Sequence, residues 1–248
     1  MTWRVIPLEV HDAYLNMGID EALLESIKEE KSQPTIRFYR WKPSAVSIGT
    51  FQSMEKEVNL KRCKELGVDC IRRITGGGAV YHDFFGEITY SVIAPLSYFP
   101  QGIRESYRFI CGWIVDGLGT LGIEAKFAPI NDILVGGKKI SGNAQTRKQG
   151  VLLQHGTVLF NTDAKTMFSV LKVGAEKISD KMIKSAEERV TSVSKHSKAS
   201  IEELYEALER GFTRDKEFEH GRFTKEELSS AEELARTVYT TDSWNFSR

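Results

Sequence analysis

The sequence is poor in cysteine and proline, with only three cysteines (Cys63, Cys70 and Cys111) and 6 prolines in 248 residues. An odd cysteine count without metal-type spacing speaks against both a disulfide framework and a zinc site. No apolar run approaches the ~18 residues that a membrane span needs. The N-terminus, MTWRVIPLEVHD, lacks the charged start and apolar core of a signal peptide, so a cytoplasmic protein with no membrane partner is expected. Charge of one sign is also missing: 34 basic residues balance 34 acidic ones. A chain that coats nucleic acid needs a net positive field, so no nucleic-acid partner is expected. Neither repeats nor low-complexity linkers occur. What remains is an ordinary globular composition, 41% apolar and 27% charged, long enough for a substantial core.

Hydrophobic periodicity gives the elements. Residues 3–9 read as a strand, and His11–Glu30 as a helix with Leu15, Ile19, Leu23 and Ile27 four residues apart. TIRFYRW (35–41) and AVSIGTF (45–51) read as a hairpin around Pro43. A short helix over 59–66 ends at Gly67, and VDCIRRI leads as a strand into a glycine run. EITYSVIAP (87–95) is a further strand, and 105–121 an amphipathic helix closed by Gly122. Four strand-like runs follow between residues 123 and 160, then helices at 163–172, 176–188, 200–212 and 224–238. The chain is thus strand-rich over 1–162 and mostly helical over 163–248. Regular strand–helix alternation is missing, so the expected fold is a single α+β domain with a largely antiparallel sheet flanked by helices.

Two stretches stand out chemically. RRITGGGAVYHD (72–83) holds three consecutive glycines, which cost backbone entropy on folding and are kept where the chain turns sharply or lies against something. No Lys-Ser or Lys-Thr follows them, so they are not a Walker loop. They sit between two strands, which rules out a dinucleotide fingerprint. Gly76, Gly77 and Gly78 can offer N–H groups to an anion, with Arg72 and Arg73 as counter-charge. Read alone, the run equally fits a glycine-rich hairpin with solvated arginines. The second stretch, residues 131–160, contains Asn131-Asp132, then Lys138-Lys139, then Ser141-Gly142-Asn143-Ala144, and His155. Strand alternation points Lys138 and Lys139 to opposite faces. By itself, a lysine pair fits solvated surface and a lone histidine fits a structural hydrogen bond.

Together, RRITGGGAVYHD, NDILVGGKKISGNAQ and LLQHGTVLF closely resemble the lipoate–protein ligase family, within the biotin/lipoate ligase and octanoyltransferase superfamily. The resemblance runs from Ser47-Ile48-Gly49 through KSAEERVTSVS (184–194) to DSWNF (242–246). It implies a class II synthetase-like catalytic domain that activates lipoate with ATP and magnesium to lipoyl-AMP. The lipoyl group then passes to a lysine of a lipoyl-domain carrier. It implies Lys139 as the indispensable lysine, and Arg73, Gly76, Gly77, Gly78, Ala79, Val80, Tyr81, Asn131 and Asp132 as the nucleotide and acyl site. Asp132 would stand beside the metal, and Arg72, His82, Gly142, Ala144 and His155 are further candidates. Residues 172–193 would form a loop closing over the nucleotide. Implied partners are lipoyl domains of 2-oxoacid dehydrogenase E2 subunits and the glycine-cleavage H protein.

The chain ends two residues after Phe246, before the family's C-terminal accessory domain. A separate small accessory subunit is therefore expected. Alternatives are an ATP-independent octanoyl or lipoyl transferase, a non-catalytic lipoate-binding module and, ranked below both, a biotin ligase. The transferase branch most similar to this chain is implied to keep a cysteine nucleophile a few residues before the stretch matching Pro129–Asp132. IEAKFAP (123–129) has none, which favours the ATP-dependent ligase.

Overall fold

The structure, a computed structural model, describes residues 2–161, 163–172 and 188–248. In chain order it contains β1 (Trp3–His11), α1 (Ala13–Lys28), β2 (Thr35–Trp41), β3 (Ala45–Ile48), α2 (Met54–Glu57), α3 (Leu60–Leu66), β4 (Asp69–Arg72), β5 (Val80–His82) and β6 (Glu87–Pro95). Next come α4 (Ile103–Thr120), β7 (Ala125–Ala128), β8 (Asp132–Val135), β9 (Lys138–Lys148), β10 (Val151–Leu159) and α5 (Ala164–Val170). The chain closes with α6 (Ile201–Thr213), β11 (Phe218–His220), α7 (Lys225–Leu234) and α8 (Asp242–Asn245).

Eight strands form one sheet in the order β11-β1-β2-β6-β10-β9-β8-β7. Its β11–β1 and β1–β2 pairs are parallel and the others antiparallel. The fold is thus α+β with a large, mostly antiparallel sheet flanked by helices. Side-chain alternation supplies both faces with apolar groups. Ile36, Phe38, Val92 and Ala94 pack with Ile110, Ile114 and Leu118 of α4 and Leu204, Leu208 and Phe212 of α6. On the other face Ile93, Val151 and Leu153 meet Ile19, Leu23 and Ile27 of α1 and Ala231 of α7. These α1 residues are the stripe expected from its four-residue period. Asp12 starts that helix by accepting a hydrogen bond from the Leu15 N–H.

The hairpin expected from 35–51 does not form. β2 is paired on both edges, by β1 and β6, so β3 has no edge to join there. It instead builds a second sheet, β4-β3-β5, which packs with α2, α3 and Val170 of α5 around Val46, Ile48, Met54 and Val58. The small sheet thereby stands beside the large one, with the glycine run leading from β4 into β5. The helix expected at 176–188 and most of the closing loop expected at 172–193 lie outside the described residues. No described helix is long and apolar enough to cross a membrane.

Candidate active site

A cleft separates the glycine run and small sheet from β9 and β10 of the large sheet. Its cavity volume is about 150 Å³, and its mouth is open to solvent. Of the residues singled out from the sequence, Arg73, Gly77, Gly78, Ala79, Val80, His82, Asn131, Lys139, Gly142, Asn143, Ala144 and His155 line it. Arg72, Gly76, Tyr81 and Asp132 do not, although Asp132 holds the Lys139 ammonium at 2.7 Å.

The two adjacent arginines serve different ends. Arg72 turns away from the cleft and donates to the carbonyls of Thr50 (3.1 Å), Gln52 (2.6 Å), Trp244 (3.0 Å) and Asn245 (3.0 Å). It ties the C-terminal segment to β4. Arg73 is buried, and all five of its N–H donors are engaged: Thr75 Oγ1, the Ser47 carbonyl and hydroxyl, and the carbonyls of Gly76 and Gly78. Burial pulls its guanidinium down to about 10. Its donors shape the glycine loop, so none is free for a phosphate, as the counter-charge reading needed. Among the described residues, no protein acceptor meets the N–H groups of Gly76, Gly77 and Gly78.

Gly77 has φ +96°, and a Cβ there would sit 2.9 Å from Arg73 Nη2. Gly77→Val is therefore expected to displace the loop and cut catalysis on the order of 10²-fold, the cost of misplacing a positioning element by ~1 Å. Its melting temperature should fall by only a few degrees. Paired activity and melting measurements check this; wild-type activity, or general unfolding, would show the glycine to be a plain turn residue.

On the opposite wall, Lys139 lies across Gly142, where a Cβ would come within 2.6 Å of Lys139 Cε. The small residue expected on β9 thus makes room for the lysine. The main chain of Lys139 is held by Arg189 O and Thr191 N, both at 2.8 Å. Asn131 and Asn143 exchange side chain-to-carbonyl hydrogen bonds, one of them 2.8 Å, and Asn143 Oδ1 accepts from the Tyr90 hydroxyl at 2.7 Å. Deeper in the cleft, His155 Nδ1 is 2.9 Å from Asp20 Oδ2 and its Nε2 is 2.8 Å from Thr75 Oγ1. His82 lies between Glu87 and Ser47.

The sequence reading missed Met17, Tyr39, Trp41, Ser47, Thr89, Gly156 and Thr157, which complete the cleft. Most come from β2, β6 and α1, and only tertiary pairing brings them beside the motifs. Ser47, Gly156 and Thr157 lie within the motif segments, but no spacing marks them as facing a ligand.

The cysteines do not reach the cleft. Cys111 sits on the buried face of α4, where burial pushes its thiol up to about 12. Cys63 and Cys70 belong to the small-sheet cluster. Magnesium at Asp132 does not fit the donors present. One Asp132 oxygen is taken by Lys139, and no group of three His, Cys, Asp or Glu among the described residues can hold a metal ion.

Residues 12–213 match the lipoyl protein ligase A/B catalytic domain model. The chain is 37% identical to octanoyltransferase LipM of Brevibacillus brevis, over 99% of each chain. It is 36% identical to octanoyltransferase LipM of Geobacillus kaustophilus, over 99% of this chain and 98% of that one. Among solved structures it resembles the bi-partite lipoate protein ligase of Thermoplasma acidophilum, studied with its E2 lipoyl domain. The TM-score is 0.89 and the identity 35%, covering 99% of this chain and 96% of that one.

These relatives correct the activity expected from the sequence. The Brevibacillus and Geobacillus relatives are named for octanoyl transfer, whereas the sequence alone pointed to an ATP-dependent, lipoyl-AMP-forming ligase. ATP and magnesium fall with that reading, while a lipoate-type acyl substrate and a lipoyl-domain carrier remain. The missing cysteine bears on the identity of the nucleophile and not on the use of ATP.

Proposed function

This chain belongs to the lipoyl protein ligase A/B catalytic-domain family, and we propose that within it the chain is an acyltransferase. It moves an octanoyl or lipoyl group from a carrier thioester to a lysine of a lipoyl-domain protein, without consuming a nucleotide. Near full-length similarity to octanoyltransferases carries this reading. The cleft supports it: Met17, Tyr39, Trp41, Ala79 and Val80 give an apolar wall for an acyl chain, and Lys139 stands among polar groups on the other side.

Acyl transfer passes through a tetrahedral intermediate whose oxygen carries negative charge, and fixed donors aimed at that charge lower the barrier. Lys139, held by Asp132, is the cation for that oxygen. Asn131 and Asn143 brace β8 against β9 and so fix the lysine. Lipoyl domains of 2-oxoacid dehydrogenases and the glycine-cleavage H protein are the acceptors, and residues 1–248 act as one catalytic domain. The accessory subunit expected with adenylation has no step to serve. The cytoplasm supplies both carriers.

The test is transfer from an octanoyl thioester to a purified lipoyl domain, with and without ATP. Equal amide formation in both is expected, and a strict ATP requirement would refute the reading. Replacing Cys63, Cys70 and Cys111 together by Ala should leave transfer near wild type, because none lines the cleft. Loss of activity in a variant with native circular dichroism would return the nucleophile to a cysteine.

A further inference from the structure

The cleft holds a hydrogen-bonded relay that none of the steps above uses. Ser47 Oγ lies 2.8 Å from His82 Nε2, and His82 Nδ1 lies 2.7 Å from Glu87 Oε1. The three come from three strands: Ser47 from β3, His82 from β5 and Glu87 from the start of β6. All are buried, with relative exposures of 1%, 5% and 1%. Ser47 and His82 line the cleft, and Glu87 stands behind them.

The relay has a direction. A carboxylate on Nδ1 fixes the ring proton there and leaves Nε2 as an acceptor, so the Ser47 hydroxyl donates to it. The imidazole plane is held by Trp41, stacked at 4.1 Å and 18°. Trp41 Nε1 donates to Thr89 Oγ1 at 2.8 Å, and Thr89 donates to Glu87 Oε1 at 2.9 Å. The other carboxylate oxygen, Glu87 Oε2, is buried with no hydrogen-bond partner. Arg73 Nη1 lies 3.2 Å from Ser47 Oγ and stabilises negative charge developing there.

Ser47 differs from the other hydroxyls at hand. The relay Asp20–His155–Thr75 has nearly the same distances, but Thr75 is fully buried and does not line the cleft. Thr89 spends its proton on Glu87, and Thr157 has no imidazole partner. Among the described residues, Ser47 is the one serine or threonine hydroxyl on the cleft that is bonded to an imidazole, in the geometry of an activated nucleophile. The cleft also lacks a cysteine to do this work.

We propose that Ser47 is the nucleophile that carries the acyl group, with His82 as its general base and Glu87 as the positioning residue behind it. The inference rests on the transferase reading. In the first half, the Ser47 Oγ–acyl carbon bond forms as the donor's C–S bond breaks. The hydroxyl proton passes to His82 Nε2 and on to the departing thiolate. In the second half, the carrier lysine amine attacks the ester, the C–N bond forms and the C–Oγ bond breaks. The amine proton returns through His82 to Ser47. No oxidant, metal or nucleotide enters the balance.

The test incubates the full chain with octanoyl-coenzyme A and no acceptor, quenches in acid and maps the adduct by mass spectrometry. One octanoyl group is expected on the peptide containing Ser47. It should survive neutral hydroxylamine, as an oxygen ester does, and leave when a lipoyl domain is added. Ser47→Cys should carry an adduct that neutral hydroxylamine removes, a change that a merely structural serine would not produce. Ser47→Ala should lose both adduct and transfer while keeping its melting transition. An adduct on a cysteine or on Lys139, or wild-type transfer by Ser47→Ala, overturns the serine assignment and leaves the transferase reading standing. Failure of the wild-type chain to move octanoyl from either coenzyme A or acyl carrier protein to the lipoyl domain overturns the transferase reading itself.

Discussion

Lys139→Ala is expected to lower kcat/KM for octanoyl transfer on the order of 10²–10³-fold, while Lys138→Ala leaves it near wild type. The magnitude is that of removing one donor from an oxyanion site. Adjacent strand residues point to opposite faces, and of this pair only Lys139 lines the cleft. Its ammonium is set 2.7 Å from Asp132 Oδ1. That pair is more than a third exposed at both ends, so it contributes little to stability, and Lys139→Ala should melt close to wild type. The loss should therefore appear in kcat more than in KM, the signature of a contact realised in the transition state. Lys139→Arg keeps the charge but not the small head group that fits across Gly142, and should recover only part of the rate. Equal activities for the Lys138 and Lys139 variants would remove Lys139 from the site.

The elements whose apolar residues follow a single period were legible from the sequence. The stripe of α1, the apolar run of β6 and the face of α4 each fix their type without help from distant segments. The separation of β2 from β3 was not, because local turn chemistry at Pro43 says nothing of which edge a strand will find free. The same limit governed the site. Gly77 and Lys139 stood out because their backbone conformation or motif is local. Ser47, Trp41 and Thr89 gained their places only when β3, β2 and β6 came together. Arg72 and Arg73 show the reverse error: two identical neighbours were read alike, yet strand geometry sends one to the C-terminal segment and the other into the glycine loop. The activity was not legible for a different reason. A motif shared across a family describes the acyl site that its members have in common, not the source of the acyl group.

The largest stability effect is expected at Asp20, which sits beneath the cleft and is 1% exposed. Its carboxylate accepts from Arg37 Nη1 at 3.0 Å and from Ser91 Oγ at 2.7 Å, and lies 2.9 Å from His155 Nδ1. Asp20→Ala leaves the Arg37 guanidinium buried without its counter-charge, a change that costs about 3–5 kcal/mol. For a chain of this length, that lowers the melting temperature by roughly 6–20 °C. Stability should also depend on pH through the pair. Burial pushes the Asp20 carboxyl up, but the His155 hydrogen bond, the Arg37 charge and the Ser91 hydroxyl together hold it below its ordinary value. Burial holds the His155 imidazole below its ordinary value, against the upward pull of Asp20. Folded-state values depressed in both groups mean that the unfolded chain binds protons first as pH falls. The His155 contribution is present above pH ~6.5 and is lost on descending through its folded value; that of Asp20 is present above pH ~4 and is lost below it. His155→Gln should therefore flatten the melting curve just below pH ~6.5 while keeping the steeper loss in stronger acid. A wild-type melting temperature unchanged between pH 7 and pH 5 would overturn the His155 linkage; an Asp20→Ala variant as stable as wild type would show that the Asn16 side chain and carbonyl, with the Tyr39 ring 3.9 Å away, suffice to hold Arg37.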